Sequence, residues 1–298
     1  MTRTTSIAST PFGQLFLIAT PIGNMKDITL RAIEILTSVD LILAEDTRHS
    51  RILLQHLGIS KPMLSLHAYN ENNRSQSILE KLHSGLNIAL ISDAGTPLIS
   101  DPGFPLVQHV RQHAIRVIPI PGPCALITAL CASGLPCDHF FFSGFLPAQS
   151  KARQKALQAF QEVSYTTVFY EAPHRILALF EDMRHVFNNQ RQVAFAKELT
   201  KVFEHFFSGT IDEAITWLTE KPEHQKGEFV VILSGKPTEA PTASELSLSI
   251  TSVLTPLLAS FPLKQAVQLT TEITGEKKNI IYALALTINN KQRIKGVC

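Results

Sequence analysis

The sequence predicts an α/β protein with two sheet-bearing domains, followed by a small helical unit. Three observations carry this reading. Through the first 120 residues, short apolar runs alternate with amphipathic stretches of helical period, which implies a mostly parallel sheet with helices on both faces. A stiff connector, Pro119-Ile120-Pro121-Gly122-Pro123, then interrupts the alternation. Beyond it several apolar runs follow one another without an intervening helix, so the second sheet is expected to be mixed.

Taken in order, Gln14–Thr20 reads as a buried strand closed by the turn Pro21-Ile22-Gly23-Asn24. Asp27 is positioned to cap a helix through Ser38, with Ile28, Ala32, Ile35 and Leu36 on its apolar face. Val39–Ala44 is a second strand, and a helix to His56 stops at Gly58. Asn72–His83 reads as helix, Asn87–Ser92 as strand, Phe104–His113 as helix and Arg116–Ile120 as strand. After the connector come a small-residue helix, Ala125–Ser133, and strands at Phe140–Ser143, Tyr165–Tyr170, Gln192–Ala196, Val202–Ser208 and Glu228–Leu233. Helices are expected near Lys151–Gln161, Pro173–Phe187 and Ile211–Thr219. A polar, proline-containing linker runs from Lys236 to Thr242. Leu263–Thr271 and Lys277–Thr287 then read as helices around a turn at Thr274-Gly275-Glu276, either a helix-turn-helix-like unit or a plain helical hairpin. The implied organisation is a short disordered leader or frayed terminus (1–13), a first α/β domain (14–122), a second (123–236) and a helical extension (243–298).

Composition narrows the function. With 45% hydrophobic and 17% charged residues, the 298-residue chain can bury ordinary cores. No apolar run approaches the ~20 residues of a membrane span, and the leader lacks the apolar stretch of a secretory signal. Four cysteines without a Cys-x-x-Cys pair read as buried thiols in a reducing compartment, hence a cytoplasmic protein with no membrane partner. His109 and His113 share a helix face, but no accompanying carboxylate suggests a metal site; a solvated surface is the simpler reading. The net charge of +2 is unevenly spread. Six bases (Lys264, Lys277, Lys278, Lys291, Arg293, Lys295) against Glu272 and Glu276 leave the stretch from Pro262 at +4, compatible with a polyanion.

Common cofactor and catalytic signatures are absent: no Gly-x-Gly-x-x-Gly, no phosphate loop and no Gly-x-Ser-x-Gly elbow. Four polar or glycine-rich loops remain at the carboxyl ends of the expected strands, the edge where open α/β sheets bind ligands. In the first, Thr20–Asn24, Pro21 stiffens the turn and Gly23 permits close approach, while Asp27 behind it is either a functional carboxylate or a cap. In the second, Glu45, Asp46, Arg48, His49 and Arg51 gather within a few positions. Carboxylates there suit proton acceptance and arginines suit phosphate; the alternative is a capped helix start with local ion pairs. The third, Asp93–Gly103, is long and stiff, as ordered functional loops are. Asp93, Ala94 and Thr96 open it. The fourth, Pro121–Ala125, starts the small-residue helix at Cys124 and Ala125, suited either to a closely seated ligand or to close domain packing.

Several longer motifs accompany these loops: ATPIGN (Ala19–Asn24), DITLRA (Asp27–Ala32), AEDTR (Ala44–Arg48), SDAGTPLISDPG (Ser92–Gly103), PIPGP (Pro119–Pro123), FYEAPHR (Phe169–Arg175), KELTK (Lys197–Lys201) and KGEFV (Lys226–Val230). In this order they resemble the tetrapyrrole methylase superfamily, and within it the bacterial branch that methylates a cytidine ribose of small-subunit ribosomal RNA. The resemblance spans about Gln14 to Gly235 and extends into the tail. It implies a tetrapyrrole methylase-like fold of two α/β domains with S-adenosylmethionine bound in the cleft between them, and a homodimer. It implies cofactor contacts from Asp93, Ala94, Thr96, Cys124, Ala125, Phe169, Tyr170 and the neighbourhood of Lys197 and Gly227; Pro21 joins them as a first-loop candidate. The branch also implies 16S ribosomal RNA in the small ribosomal subunit as partner, a decoding-site (P-site) cytidine as target and a helical tail that helps bind RNA. Cys124 and Ala172 stand where the family has serine, which removes or weakens any hydroxyl hydrogen bond there.

Transfer to a ribose hydroxyl is an in-line displacement from an activated donor, so alignment carries most of the catalysis and a positioned base assists. The base candidates are Asp46, Glu45 and Asp27. Arg48, Arg51, Lys197 and Lys201 are candidates for RNA phosphate or developing charge. Two other functions fit less of the sequence: a porphyrinoid methylase, which has no need of a basic helical tail, and a non-catalytic RNA-binding assembly factor, which has no need of the Asp93–Gly103 loop.

Overall fold

The structure, a computed structural model, describes residues 12–187, 191–236 and 243–295, and for 243–249 and 289–295 the backbone alone. Most of the expected leader lies outside the described residues. The described residues up to Lys236 form one compact unit and those from Ala243 another.

The first half of the larger unit alternates strand and helix: β1 (Leu15–Ile18), α1 (Leu30–Ser38), β2 (Leu41–Ala44), α2 (Thr47–His56), β3 (Met63–Ser65), α3 (Glu71–His83), β4 (Ile88–Ile91), α4 (Phe104–Gln112) and β5 (Val117–Ile120). The five strands are all parallel, in the order β3-β2-β4-β1-β5. Strand alternation explains the two helical layers. Leu15, Leu43 and Leu90 pack with Ile78 and Leu82 of α3 and Leu106 and Val110 of α4. Phe16, Ile18, Ile42 and Ile91 face the other way, onto Ala32 and Leu36 of α1 and Leu54 of α2. With both faces covered, the strands are apolar throughout. The loops after β1 and β4 emerge side by side, because those strands are neighbours whose chains leave toward opposite edges of the sheet, the arrangement that opens a ligand crevice.

The second half contains α5 (Ala125–Ala132), β6 (Phe140–Phe145), α6 (Ser150–Gln158), β7 (Thr166–Glu171), α7 (Ile176–Val186), β8 (Gln192–Lys197), β9 (His205–Thr210), α8 (Ile211–Glu220) and β10 (Phe229–Leu233). Their order is β6-β7-β10-β8-β9, with only β6 and β7 parallel, so the sheet is mixed as expected. One face, carrying Phe169, Phe195, Phe229 and Val231, packs on α6, α7 and α8. The other, carrying Val168, Ala194, Ala196 and Val230, packs on Leu126, Ala129 and Leu130 of α5. Beneath the first face Arg153 and Asp182 form a buried ion pair, Nε to Oδ2 2.6 Å, completed by Ser150 and Gln154 on Oδ1, both 2.7 Å.

Three expectations need correction, and one strand, β3, adds to them. Asp27 lies in a short 3-10 turn and does not cap α1; Thr29 does, its Oγ1 accepting from the Ala32 amide at 3.2 Å. The three-residue edge strand β3 follows Pro62 and is too short to show a period. The strand expected from Val202 begins at His205. Ahead of it, positive φ at Glu198 (53°) and Thr200 (64°) and the Lys201 ammonium, 2.9 Å from both Glu198 and Glu228, hold a loop. Cys131 is exposed and Cys124 half-buried, because α5 turns Leu126, Ala129 and Leu130 inward; Cys137, beyond α5, is exposed too, and Cys298 lies outside the described residues.

The smaller unit holds α9 (Ala243–Ser260), α10 (Leu263–Thr274) and α11 (Lys278–Lys295) around Ile250, Leu254, Val267, Ile281 and Ala285. Gly275, in the left-handed region at φ 70°, ends α10 at the expected turn. No helix among the described residues is long and apolar enough to cross a membrane.

Candidate active site

The loops at the carboxyl edge of the first sheet are tied to one another. Thr20 and Gly95 exchange two backbone hydrogen bonds, 2.9 and 3.0 Å, bridging the first and third loops. The Asp46 amide donates to Asp93 Oδ1 at 3.1 Å, joining the second to the third. Thr96 Oγ1 donates to the Pro123 carbonyl at 3.0 Å, joining the third to the fourth. Within the Asp93–Gly103 loop, Leu98 (φ 73°) and Ser100 (φ 69°) adopt a backbone that side chains disfavour, the kind of strain that collects at ligand sites. Gly103 ends it at φ 123°, donating its amide to Glu71 Oε2 at 2.8 Å.

These loops and the second sheet enclose a cavity of about 420 Å³. Ala94, Thr96, Ser100 and Asp101 line it from the third loop, Cys124 and Ala125 from the fourth, and Ile22 from the first. The second sheet contributes Tyr170, Glu171, Ala196, Leu199 and Glu228, with Phe145 at the end of β6. The Tyr170 hydroxyl accepts from the Leu126 amide at 3.2 Å, which fixes the start of α5 against β7. Burial first, and then the adjacent Cys124 thiol, push this phenol up to about 12, so it stays protonated.

A smaller cavity of about 250 Å³ adjoins the first. The two share Ile22, Ala94 and Glu228. Thr20, Pro21 and Gly23, His49 and Ser50 at the start of α2, Asp93 and Lys201 complete much of its wall. Gly23 leaves no room there: a methyl group on it would lie 2.5 Å from Lys201 Cγ and 2.9 Å from the Leu199 carbonyl oxygen.

The carboxylates divide into two kinds. Asp46 caps α2, accepting from the Arg48 amide at 2.8 Å and pairing with the Arg48 guanidinium at 3.0 Å. That hydrogen bond lowers its pKa to about 2, which makes it a poor base. Glu45 behaves oppositely: burial, then the nearby Asp101 and Asp93 charges, raise its pKa. Burial also raises Asp101, against a hydrogen bond from Ser92 that lowers it and with Asp93 raising it further. Two loops therefore bring Glu45, Asp93 and Asp101 near one another, and carboxylates crowded this way accept protons more readily than free ones. Among the described residues no cluster of three or more histidine, cysteine or carboxylate side chains is arranged to hold a metal ion.

Ala94, Thr96, Cys124, Ala125 and Tyr170 thus line the larger cavity, while Pro21 and Asp93 line the smaller. Phe169 and Lys197 line neither. Alternation turns Phe169 into the core under α6–α8, and Tyr170 and Ala196 reach the cavity instead; at the end of the sheet Phe229 and Glu171, in register with Lys197, also reach it. Gly227, at φ 90°, sits against Glu198 and leaves the lining to its neighbour Glu228. Asp27 lines neither cavity, and its Oδ2 is buried without a hydrogen-bond partner. Sequence reasoning did not single out Asp101, Glu171, Glu228 or Ser50. The aspartate was within a loop already chosen, but the glutamates sit at ends of apolar strands and are brought to the cavity only by sheet pairing.

Comparison with known proteins agrees with this architecture. The family model for tetrapyrrole (corrin/porphyrin) methylases matches residues 14–215, and that for the RsmI C-terminal HTH domain matches residues 244–289. The chain is 50% identical to the ribosomal RNA small subunit methyltransferase I of Haemophilus influenzae over 92% of its own length and 96% of that protein's. It is 48% identical to the protein of the same name from Escherichia coli O157:H7, over 92% and 95%. Among solved structures it resembles the methyltransferase CobJ, with a TM-score of 0.55 at 18% identity over 75% of this chain and 94% of that one. It also resembles the uroporphyrin-III C-methyltransferase of Thermus thermophilus complexed with S-adenosylhomocysteine, with a TM-score of 0.53 at 17% identity over 74% and 97%. These two establish a shared fold. Family match, sequence identity and fold converge: the chain belongs to the tetrapyrrole methylase family and, within it, to the ribosomal RNA small subunit methyltransferase I group.

Proposed function

We propose that this protein transfers a methyl group from S-adenosylmethionine to the ribose 2'-hydroxyl of a P-site cytidine in 16S ribosomal RNA. The observation that carries the reading is the junction of the two cavities at Ile22 and Ala94, with Asp101, a carboxylate whose proton affinity is raised, on the wall of the larger; Glu45 lines neither cavity and feels the charge of Asp101. The names of the relatives direct it to small-subunit ribosomal RNA.

The larger cavity suits the donor. Its apolar walls from Ile22, Ile99 and Leu199 suit an adenine ring, and Asp101, Glu171 and Glu228 suit an amino group or ribose hydroxyls. Tyr170 and Phe145 add aromatic surface, attractive to a cationic sulfonium. Thr96, Ala94, Cys124 and Ala125 would hold the donor from the first half of the unit and Tyr170 from the second. When bound, S-adenosylmethionine supplies a methyl group already activated for displacement. The chain's task is to align the acceptor oxygen and remove its proton. We assign proton acceptance to the carboxylates of raised proton affinity, Asp101 on the cavity wall and Glu45, with Asp93 orienting the loops through the Asp46 amide. Asp46 and Arg48 serve as a structural cap, and Lys201 is left to meet RNA phosphate at the rim.

The basic helical unit is assigned to RNA binding, and the reaction to the cytoplasm. Exposed Phe140 and Phe141 on edge strand β6 support a homodimer. The test is incorporation of labelled methyl into small ribosomal subunits that lack the modification, followed by nucleoside mapping. A single 2'-O-methylcytidine is expected; incorporation into porphyrinoids alone would overturn the assignment.

A further inference from the structure

The smaller cavity contains a group that the fold does not use. Ser50, in the first turns of α2, is only 2% exposed, and its hydroxyl has no hydrogen-bond partner. Ser50 is also a residue of the cavity wall, its hydroxyl just beneath the surface. A buried hydroxyl without a partner destabilises the free protein, and such groups persist where a ligand completes them. Around it the wall is mixed. Pro21, Met25, Ile52 and Leu53 offer apolar surface, and Met25 and Ile52 remain exposed at 36% and 59%. His49 and Lys201 carry polar groups to the same wall.

Resting on the function proposed above, we infer that this cavity receives a single nucleoside swung out of the RNA strand, and that Ser50 hydrogen-bonds to the edge of its base. A planar ring with apolar faces and a polar edge matches the lining: the faces meet Pro21, Met25 and Ile52, and the edge completes the orphan hydroxyl. The volume of about 250 Å³ suits one nucleoside. The shared wall at Ile22 and Ala94 lets a ribose at the inner end of the cavity face the donor cavity. Lys201, braced by Glu198 and Glu228 at 2.9 Å each, stands where the strand's phosphate would pass.

The test compares full-length wild type with Ser50→Ala in three measurements: melting temperature, affinity for S-adenosylhomocysteine, and steady-state methylation of unmodified small ribosomal subunits. Removing an unpartnered buried hydroxyl leaves the melting temperature unchanged or raises it, and leaves the affinity for S-adenosylhomocysteine as in wild type. The KM for subunits rises by roughly 3- to 10-fold, the worth of one hydrogen bond. Ser50→Thr, which keeps the hydroxyl, lies nearer wild type in KM than Ser50→Ala. An unchanged KM in Ser50→Ala, or a matching loss of S-adenosylhomocysteine affinity, overturns the inference while leaving the proposed function standing. Failure of the wild-type protein to methylate subunits removes the function and this inference together.

Discussion

Gly23→Ala probes whether the first loop and the Glu198–Glu204 loop close against each other across the cleft. The added methyl would lie 2.5 Å from Lys201 Cγ, 2.8 Å from Thr200 Oγ1 and 2.9 Å from the Leu199 carbonyl oxygen. The lysine carbon can swing away; the carbonyl belongs to a backbone held by positive φ at Glu198 and Thr200 and cannot shift alone. Overpacking of this kind costs about 1–3 kcal/mol. If the loops stay closed, the folded state carries the strain, and at ~2–4 °C per kcal/mol for a domain of this size the melting temperature falls by several degrees. If they part instead, stability is kept, but closure around the donor must restore the strain, and affinity drops by roughly 5- to 150-fold. Thermal denaturation and calorimetric titration with S-adenosylhomocysteine, on the same preparation, read both routes. A variant with wild-type melting and wild-type affinity would refute the close approach and the cleft geometry built on it.

Other predictions follow from the charges. Glu45→Gln and Asp101→Asn each slow methyl transfer at least tenfold. A carboxylate whose pKa is raised in the fold favours folding below its unfolded pKa and opposes it as pH rises through the raised value, so both amide variants melt higher than wild type at pH 7. The acid limb of the wild-type kcat/KM profile lies at higher pH than a free carboxylate gives, and it flattens in either variant. Asp46 has the opposite sign. Its pKa is lowered from 3.8 to about 2, so its contribution is present at neutral pH and lost as pH falls toward 2; Asp46→Ala loosens α2 but retains a measurable rate with the wild-type pH profile. Arg153→Ala strands the buried Asp182 carboxylate and destabilises by about 3–5 kcal/mol in urea denaturation, with donor affinity retained in the folded fraction.

The fold was legible wherever period and length cooperate. Leu15–Ile18, Leu41–Ala44 and Ile88–Ile91 are buried on both faces and so read as unbroken apolar runs, and Gly275 marked its turn because only a left-handed residue ends α10 there. Strand β3 was not legible: Met63-Leu64-Ser65 is stabilised by its pairing with β2, a tertiary contact with no local period. The Asp93–Gly103 loop announced itself through prolines, glycines and aspartates in a length that an idle loop rarely keeps. The lining from the second sheet was harder to read. Phe169 and Tyr170 are adjacent, as are Ala196 and Lys197, and composition favours neither member of a pair; only the facing of the sheet sends Tyr170 and Ala196 to the cavity. The charges of Ala44–Arg51 split for a similar reason. Asp46 and Arg48 are close enough along the chain to satisfy each other, while Glu45 owes its altered acidity first to burial and then to Asp101 and Asp93, some fifty residues on.

The most direct test of the account is nucleoside analysis of 16S ribosomal RNA after unmodified small subunits are incubated with S-adenosylmethionine and either the wild-type protein or Glu45→Gln. One 2'-O-methylcytidine is expected with wild type and a rate at least tenfold lower with the variant. A methyl group on a base, or no RNA methylation by a protein that binds S-adenosylhomocysteine, would contradict it.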